Sequence, residues 1–285
     1  MATSKASQDT RVVLITGCSN GGIGAGLATE FSQNGFLVFA SARSLSSMSE
    51  LGDNIRKLEL DVTSDTSCEN AVKTIYAEAG HIDVLVSNAG VANVGALLDI
   101  PLETAQKVMD TNLYGTVRLV HLIAPQMVNR GRGLIVPVGS TAGELSVPFM
   151  GYYNISKAAL HAYSETLKEE LRPFGVNVML LVPGTVISKI ADNEAKRYET
   201  NIPDDSFYRG YKEQMTHVLY YGQNASPWPT DKFAKAVVRA ALSSSPPTFL
   251  HLGGTTTLWA FLKWLPRPMA LRMIWNSTVG NVTNK

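Results

Sequence analysis

The chain has 285 residues, 45% of them hydrophobic and 17% charged, with a formal net charge of +1. That apolar content buries a full core, and one α/β domain of this size is expected. A balance so close to neutral excludes the large basic face that nucleic acid requires, so no nucleic-acid partner is expected.

Residues 1–10 lack the apolar core of a signal peptide and are expected as a disordered lead-in to a cytoplasmic, not secreted, protein. Arg11 to Thr16 is an apolar strand that runs into Gly17-Cys18-Ser19-Asn20-Gly21-Gly22-Ile23-Gly24, with a helix following through Leu27, Ala28 and Phe31. Strand, glycine-rich turn and helix form the context of a dinucleotide site: bare backbone approaches the pyrophosphate, and the helix N-terminus offers amides and a favourable dipole. The spacing is not the strict Gly-x-Gly-x-x-Gly, and Ile23-Gly24 stand where a nucleoside-triphosphate loop has Lys and Ser or Thr, so that loop is excluded. A glycine turn with no ligand stays open as the alternative. Cys18, within this loop, and Cys68 make no disulfide framework and are expected as free thiols.

Phe36 to Ala40 is the next strand, and no acid follows it to accept the ribose hydroxyls of NAD. Ser41-Ala42-Arg43-Ser44 instead offers a guanidinium flanked by hydroxyls, suited to the 2′-phosphate of NADP. A third strand is expected over Lys57 to Val62, a helix over Ser67 to Ala79, and a fourth strand over Ile82 to Ser87, ending in Asn88-Ala89-Gly90. Repeated strand-then-helix units imply a doubly wound parallel sheet of about seven strands with helices on both faces. In the long helical stretch Thr104 to Val128, Asn112 is polar among Leu113, Val117, Leu119 and Val120, and is either a structural bridge or part of a site.

The apolar strand Gly133 to Val138 ends at Gly139-Ser140, and a helix carrying Tyr153 and Lys157 follows. Four residues apart, Tyr153 and Lys157 project from one helix face. A cation beside a phenol lowers its pKa, and a hydroxyl from Ser140 with a proton from Tyr153 would stabilise charge developing on a carbonyl oxygen as hydride arrives. A second Tyr-x-x-x-Lys, Tyr208 to Lys212, follows a polar loop with no strand-end serine and is read as chance. The five histidines show no metal-like spacing, so no metal site is expected, and each is read as structural or solvated. A sixth strand, Val178 to Val182, leads to Pro183-Gly184-Thr185-Val186-Ile187-Ser188, expected over the nicotinamide. Residues 189–229 are expected as a substrate lid, Thr230 to Ser243 as a helix and Phe249 to Leu252 as an edge strand.

Thr16-Gly17, Gly22-Ile23-Gly24, Asp61-Val62, Asn88-Ala89-Gly90, Asn112, Ser140, Tyr153-x-x-x-Lys157 and Pro183-Gly184 occur in this order, with Ser140 and Tyr153 thirteen apart (153 − 140). Together they resemble the short-chain dehydrogenase/reductase family, over roughly Val12 to Ser188. The resemblance implies a Rossmann-type domain with Tyr153 as acid and base. It further implies that Ser140 polarises the carbonyl, that Lys157 holds the nicotinamide ribose and lowers the Tyr153 pKa, and that Asn112 supports a relay water. Asp61 and Val62 would flank adenine. Asn88, Ala89 and Gly90, together with Ser19, Asn20 and the other glycine-loop residues, would lie along the cofactor, and Val186 and Ser188 at its nicotinamide end. It implies a homodimer or homotetramer paired through the helices over 104–128 and 153–172. Two departures stand out: four residues, Cys18 to Gly21, separate Gly17 from Gly22 where the family has three, and Ser87 replaces an Asn.

The expected organisation is thus a lead-in at 1–10, a catalytic domain at 11–254 and an apolar extension of it at 255–285. Its activity would be NADP(H)-dependent reduction of an apolar ketone or aldehyde, lipid-, steroid- or polyketide-like; the alternative is a catalytically silent NADP(H) sensor on the same fold. In the extension, Lys263, Pro266, Arg267 and Arg272 interrupt the apolar run over 257–275 short of a spanning helix. It either packs over the substrate pocket or a neighbouring subunit, or makes peripheral contact with an intracellular membrane.

Overall fold

The computed structural model describes residues 10–198 and 202–280. Most of the expected lead-in, residues 199–201 of the lid and the last five residues lie outside the described residues.

The first half alternates strand and helix: β1 (Val12–Thr16), α1 (Ile23–Gln33), β2 (Leu37–Ala42), β3 (Arg56–Glu59), α2 (Asp65–Ala79) and β4 (Val84–Ser87). Next come α3 (Leu102–Met109), α4 (Gly115–Arg130), β5 (Gly133–Pro137), α5 (Gly151–Leu171), β6 (Val176–Val178) and β7 (Leu180–Pro183). The chain closes with α6 (Ile190–Tyr198), α7 (Lys212–Asn224), α8 (Thr230–Ala241), β8 (Phe249–Leu252), α9 (Thr256–Trp264) and α10 (Arg267–Thr278).

Six strands form a parallel sheet in the order β3-β2-β1-β4-β5-β6, and β7 pairs in parallel with β8. The expected sixth strand is divided at Met179, yet the ladder to β5 runs through the break: Met179 N donates to Ile135 O at 2.9 Å and Gly139 N to Leu181 O at 2.7 Å. β6 and β7 therefore share one line of the sheet, and β8 makes the seventh.

Strand side chains alternate between faces, and here both faces are apolar because helices cover both. Val13 and Ile15 of β1 join Leu27, Phe31, Phe233 and Val237 under α1 and α8. Val12 and Leu14 face the other way, into a core with Ile75, Leu119 and Ile123 of α2 and α4. The free thiols divide likewise, Cys18 in the first core and Cys68 in the second.

The long helical stretch is interrupted. Between α3 and α4 the backbone widens into a π turn over Asp110–Tyr114, which contains Asn112. Such a turn inserts a residue and re-aims the side chains after it. Among the described residues, no helix is long and apolar enough to cross a membrane.

Candidate active site

Because every strand of the sheet is parallel, β1, β2, β4 and β5 end at one edge, and β1 and β4 make the switch point where a crevice opens. A cleft of about 760 Å³ runs along that edge. Gly17, Ser19, Asn20, Gly22, Ile23, Arg43, Asp61 and Val62 line it, as do Asn88, Ala89 and Gly90. So do Ser140, Tyr153, Lys157, Pro183, Gly184, Val186 and Ser188. Gly24, Ser41 and Asn112 lie behind the wall.

At the glycine end, Gly17 (φ +72°) and Gly21 (φ +69°) adopt the left-handed backbone that a side chain disfavours. At Gly17 a Cβ would also stand 2.8 Å from Ala89 Cα. The extra loop residue is absorbed by docking on the 3₁₀ turn Leu45–Met48: Asn20 N donates to Ser47 O at 2.8 Å, Asn20 Nδ2 to Ser49 Oγ at 2.9 Å, and Ser19 Oγ to Ser47 Oγ at 3.2 Å. Ser47 and Arg43 both line the cleft. Ser41, expected there, belongs to β2, which runs two residues further than its sequence suggests. Its buried hydroxyl donates to Ile15 O at 3.2 Å, whereas Ser47 lines the cleft.

The floor is braced by Asn88, whose Nδ2 donates to Thr16 O at 2.8 Å and Gly17 O at 3.0 Å. Asp61 Oδ1 accepts from Thr63 N at 2.9 Å and Thr63 Oγ1 at 2.8 Å, which fixes the turn after β3. Asn112 uses the re-aimed backbone of the π turn to bridge: Oδ1 accepts from Val91 N at 2.8 Å, and Nδ2 donates to Val91 O at 3.0 Å and Ser156 Oγ at 2.9 Å.

Ser140 leaves the end of β5, and its Oγ accepts the Ala142 amide at 3.1 Å. The Tyr153 phenol is raised by burial, offset in part by a hydrogen bond with Ser140. Lys157 is 4% exposed, and burial pushes its ammonium down to about 8. Lys157 Nζ donates to Val138 O at 2.7 Å and lies over the Tyr153 ring, 5.8 Å from its centroid. Tyr208, of the second Tyr-x-x-x-Lys, packs edge-on against Phe149 at 6.0 Å and does not line the cleft.

The far end of the cleft is lined by Val147 and Met150, by Val218 and Leu219 of α7, and by Trp259 of α9. Thus the apolar extension folds back as a helix pair. Trp259, Leu262, Ala270 and Ile274 pack on Leu145, just beyond Ser140. Glu144 secures this packing, with Oε1 accepting from Lys263 Nζ and lying 2.8 Å from His251 Nε2. Burial works to raise the Glu144 carboxyl, but Lys263 and His251 overcome it and hold it below the usual carboxylate range.

Sequence reasoning missed Ser47, which lines the cleft, and Glu144, which ties the extension to the turn after Ser140, because each acts through tertiary docking rather than through a local motif. Only Ser47 carried a local signal, as part of the hydroxyl-rich run Ser44, Ser46, Ser47, Ser49 after Arg43.

A family model described as short chain dehydrogenase matches residues 11–199. The chain belongs to the short-chain dehydrogenase family. It is 34% identical over 261 residues to the short-chain dehydrogenase RED1 of Pyricularia oryzae, covering 90% of each chain. It is 39% identical over 206 residues to an NADPH-dependent 1-acyldihydroxyacetone phosphate reductase of Schizosaccharomyces pombe, covering 71% of this chain and 69% of that one. The fold is similar to that of a short-chain dehydrogenase from Streptomyces avermitilis, with TM-score 0.78, 27% identity and coverage of 95% and 97%. The protein is therefore an oxidoreductase of this family on a single-domain Rossmann-type sheet.

Proposed function

We propose that this dehydrogenase uses NADP(H) to reduce an apolar ketone or aldehyde, lipid-, steroid- or polyketide-like, to an alcohol. The observation that carries the reading is a single cleft with Ser140, Tyr153 and Lys157 on one wall and Gly17, Gly22 and Arg43 at its other end. Bare backbone at the glycine end fits a dinucleotide: a Cβ at Gly24 would stand 2.5 Å from Gly17 O, so only a glycine there lets loop and helix approach this closely. The name of the Schizosaccharomyces pombe relative supports NADPH as the nucleotide.

When bound, NADPH supplies hydride to the carbonyl carbon. Residues Gly17 to Gly24 would hold its pyrophosphate, Arg43 with Ser47 its 2′-phosphate, and Asp61 and Val62 its adenine side. Asn88, Ala89 and Gly90 would support it from beneath, Lys157 would hold the ribose, and Pro183, Gly184, Val186 and Ser188 would enclose the nicotinamide. Ser140 Oγ accepts from Ala142 N and shares a hydrogen bond with Tyr153, and its hydroxyl would turn to donate to the carbonyl oxygen when substrate enters between them. Tyr153 gives the proton that completes the alcohol, and Asn112 supports proton supply from behind it. Val147, Met150, Leu219 and Trp259 favour an apolar substrate body.

The same reading includes a cytoplasmic homodimer or homotetramer paired through α4 and α5, where Ile155 is 48% exposed, with sedimentation as its check. It also includes peripheral membrane contact through exposed Phe261, Trp264 and Met269, which flotation with anionic vesicles would read. The deciding experiment follows NADPH absorbance against a panel of apolar ketones. Wild type should consume cofactor far faster than Tyr153→Phe on at least one; equal rates throughout would leave the silent sensor.

A further inference from the structure

His161 continues the face of α5 that carries Tyr153 and Lys157, each four residues from the next, so the three side chains stand in one row. The last two bracket the peptide that presents Ser140. Lys157 Nζ donates to Val138 O at 2.7 Å on one side of it, and on the other the Ser140 amide donates to His161 Nε2 at 3.3 Å.

Gly139, between these two anchors, is kept bare by the imidazole. A Cβ there would stand 2.2 Å from His161 Nε2, and one at Gly143 would stand 3.0 Å from the same atom. The ring is thus enclosed by the turn it holds, and it is 8% exposed. Burial pushes its pKa down to about 4; Glu144 opposes this, while Lys157, His251 and Lys263 add to it, so the ring is neutral at physiological pH. A neutral ring that accepts at Nε2 must carry its proton on Nδ1.

We propose that His161 is a positioning residue for the catalytic serine: its Nε2 lone pair holds the Ser140 amide and thereby sets the Ser140 hydroxyl where the carbonyl oxygen develops charge. The inference rests on the role given to Ser140 above, but its first test does not need turnover. In histidine-selective ¹⁵N spectra of the full chain, with the resonance assigned by its loss in His161→Gln, His161 should be the neutral Nδ1–H tautomer down to about pH 5. An Nε2–H tautomer overturns the proposal whether or not the protein is a reductase.

The second test is kinetic, on whichever ketone wild type reduces. His161→Leu cannot accept a hydrogen bond and should lower kcat by roughly tenfold to a hundredfold, as a displaced catalytic group does, with NADPH affinity unchanged. His161→Gln brings an acceptor oxygen to the same place and should restore most of kcat. Unchanged kcat in His161→Leu overturns the proposal. So does equal loss in both variants accompanied by loss of NADPH affinity, which would mark a packing residue. If wild type reduces no ketone, the reductase reading fails and the positioning role falls with it, while the tautomer still reports the hydrogen bond.

Discussion

The two halves of the cleft are assembled in different ways. Beneath the glycine loop, contacts are made by backbone and by short polar side chains at the ends of adjacent parallel strands: Thr16 Oγ1 accepts the Asn88 and Ala89 amides, both at 3.0 Å, and Asn88 reaches back to the carbonyls of Thr16 and Gly17. At the far end, α9 and α10 arrive from much later in the chain and meet the turn after Ser140 through large side chains, with Glu144 linked to Lys263 across 119 residues. The first half depends on the sheet, which a parallel βαβ topology fixes. The second depends on packing, which tolerates exchange of volume and is where relatives with one chemistry can differ in substrate. Variants should therefore separate cofactor, chemistry and substrate effects.

The largest effect is expected at the junction of the halves. Tyr153→Phe removes the proton donor while keeping the ring, and should lower kcat by about 10²–10⁴-fold, the usual contribution of a positioned acid. NADPH affinity by titration calorimetry should stay near wild type. A parallel loss of binding would show that Tyr153 supports the cofactor and not the chemistry.

Next in size is the packed half. Trp259 is 7% exposed in the cluster with Leu145, Leu262 and Ile274, so Trp259→Ala should cost about 3–5 kcal/mol in denaturant unfolding, as large-to-small core changes do. Under conditions where the variant is folded, KM for a bulky apolar ketone should rise while NADPH affinity holds. If NADPH affinity falls as well, the two halves are mechanically one, and the comparison above is wrong.

Acid sharpens the same contrast, because two perturbed groups meet at the turn that joins the halves, Glu144 within it and His161 of α5 against it. His161 has a folded pKa of about 4 against an ordinary value of 6.5, so the unfolded chain takes up a proton that the fold refuses, and stability declines as pH falls from 6.5 to 4. The whole shift corresponds to at most about 3 kcal/mol. The folded pKa of Glu144 lies below the ordinary value of 4.5, so its contribution is present above 4.5 and is lost as pH falls through that lower value. Denaturant midpoints across pH 7 to 3.5 should therefore fall in two stages, and His161→Gln should flatten the first. A His161→Gln curve parallel to wild type throughout would refute the assignment.

How far the site was legible follows this division. The glycine loop, Asn88, Ser140 and the Tyr153–Lys157 pair were readable because each function needs a residue type at a fixed distance from a strand end, and strands announce themselves by apolar runs. The division of one strand at Met179 was not readable, since Val176 to Val182 is nearly continuous in apolar residues and only partner geometry separates β6 from β7. Nor was the π turn at Asn112, since apolar residues flank it on both sides and leave a helical reading intact. His161 was read as a structural or solvated histidine, although its spacing from Tyr153 and Lys157 put it in their row. What it binds is a backbone amide, and a backbone amide has no signature in sequence. The extension over 255–285 was left between pocket and membrane; Trp259 lines the cleft, whereas Trp264 is 83% exposed.

The smallest effects are expected at the outer end of the backbone-built half, where solvent screens charge. Arg43 is exposed, so its pairing with a 2′-phosphate should give only the lower part of the 1.5–3 kcal/mol typical of charge-assisted bonds. Arg43→Ala should then weaken NADPH by about tenfold, the equivalent of 1.4 kcal/mol, and leave NADH unchanged. Ser47 lines the cleft from the turn on which the lengthened loop docks, and its Oγ is 3.2 Å from Ser19 Oγ. Ser47→Ala should weaken NADPH by a neutral hydrogen bond at most, about 0.5–1.5 kcal/mol. Ser41→Ala removes a hydroxyl already committed to Ile15 O, so nucleotide preference should not move while stability falls slightly. Calorimetric titration of the three variants with both nucleotides orders them Arg43, Ser47, Ser41 in lost NADPH preference. If Ser41→Ala loses more preference than Ser47→Ala, the strand-end reading from sequence was right, and the docked turn has no part in choosing the nucleotide.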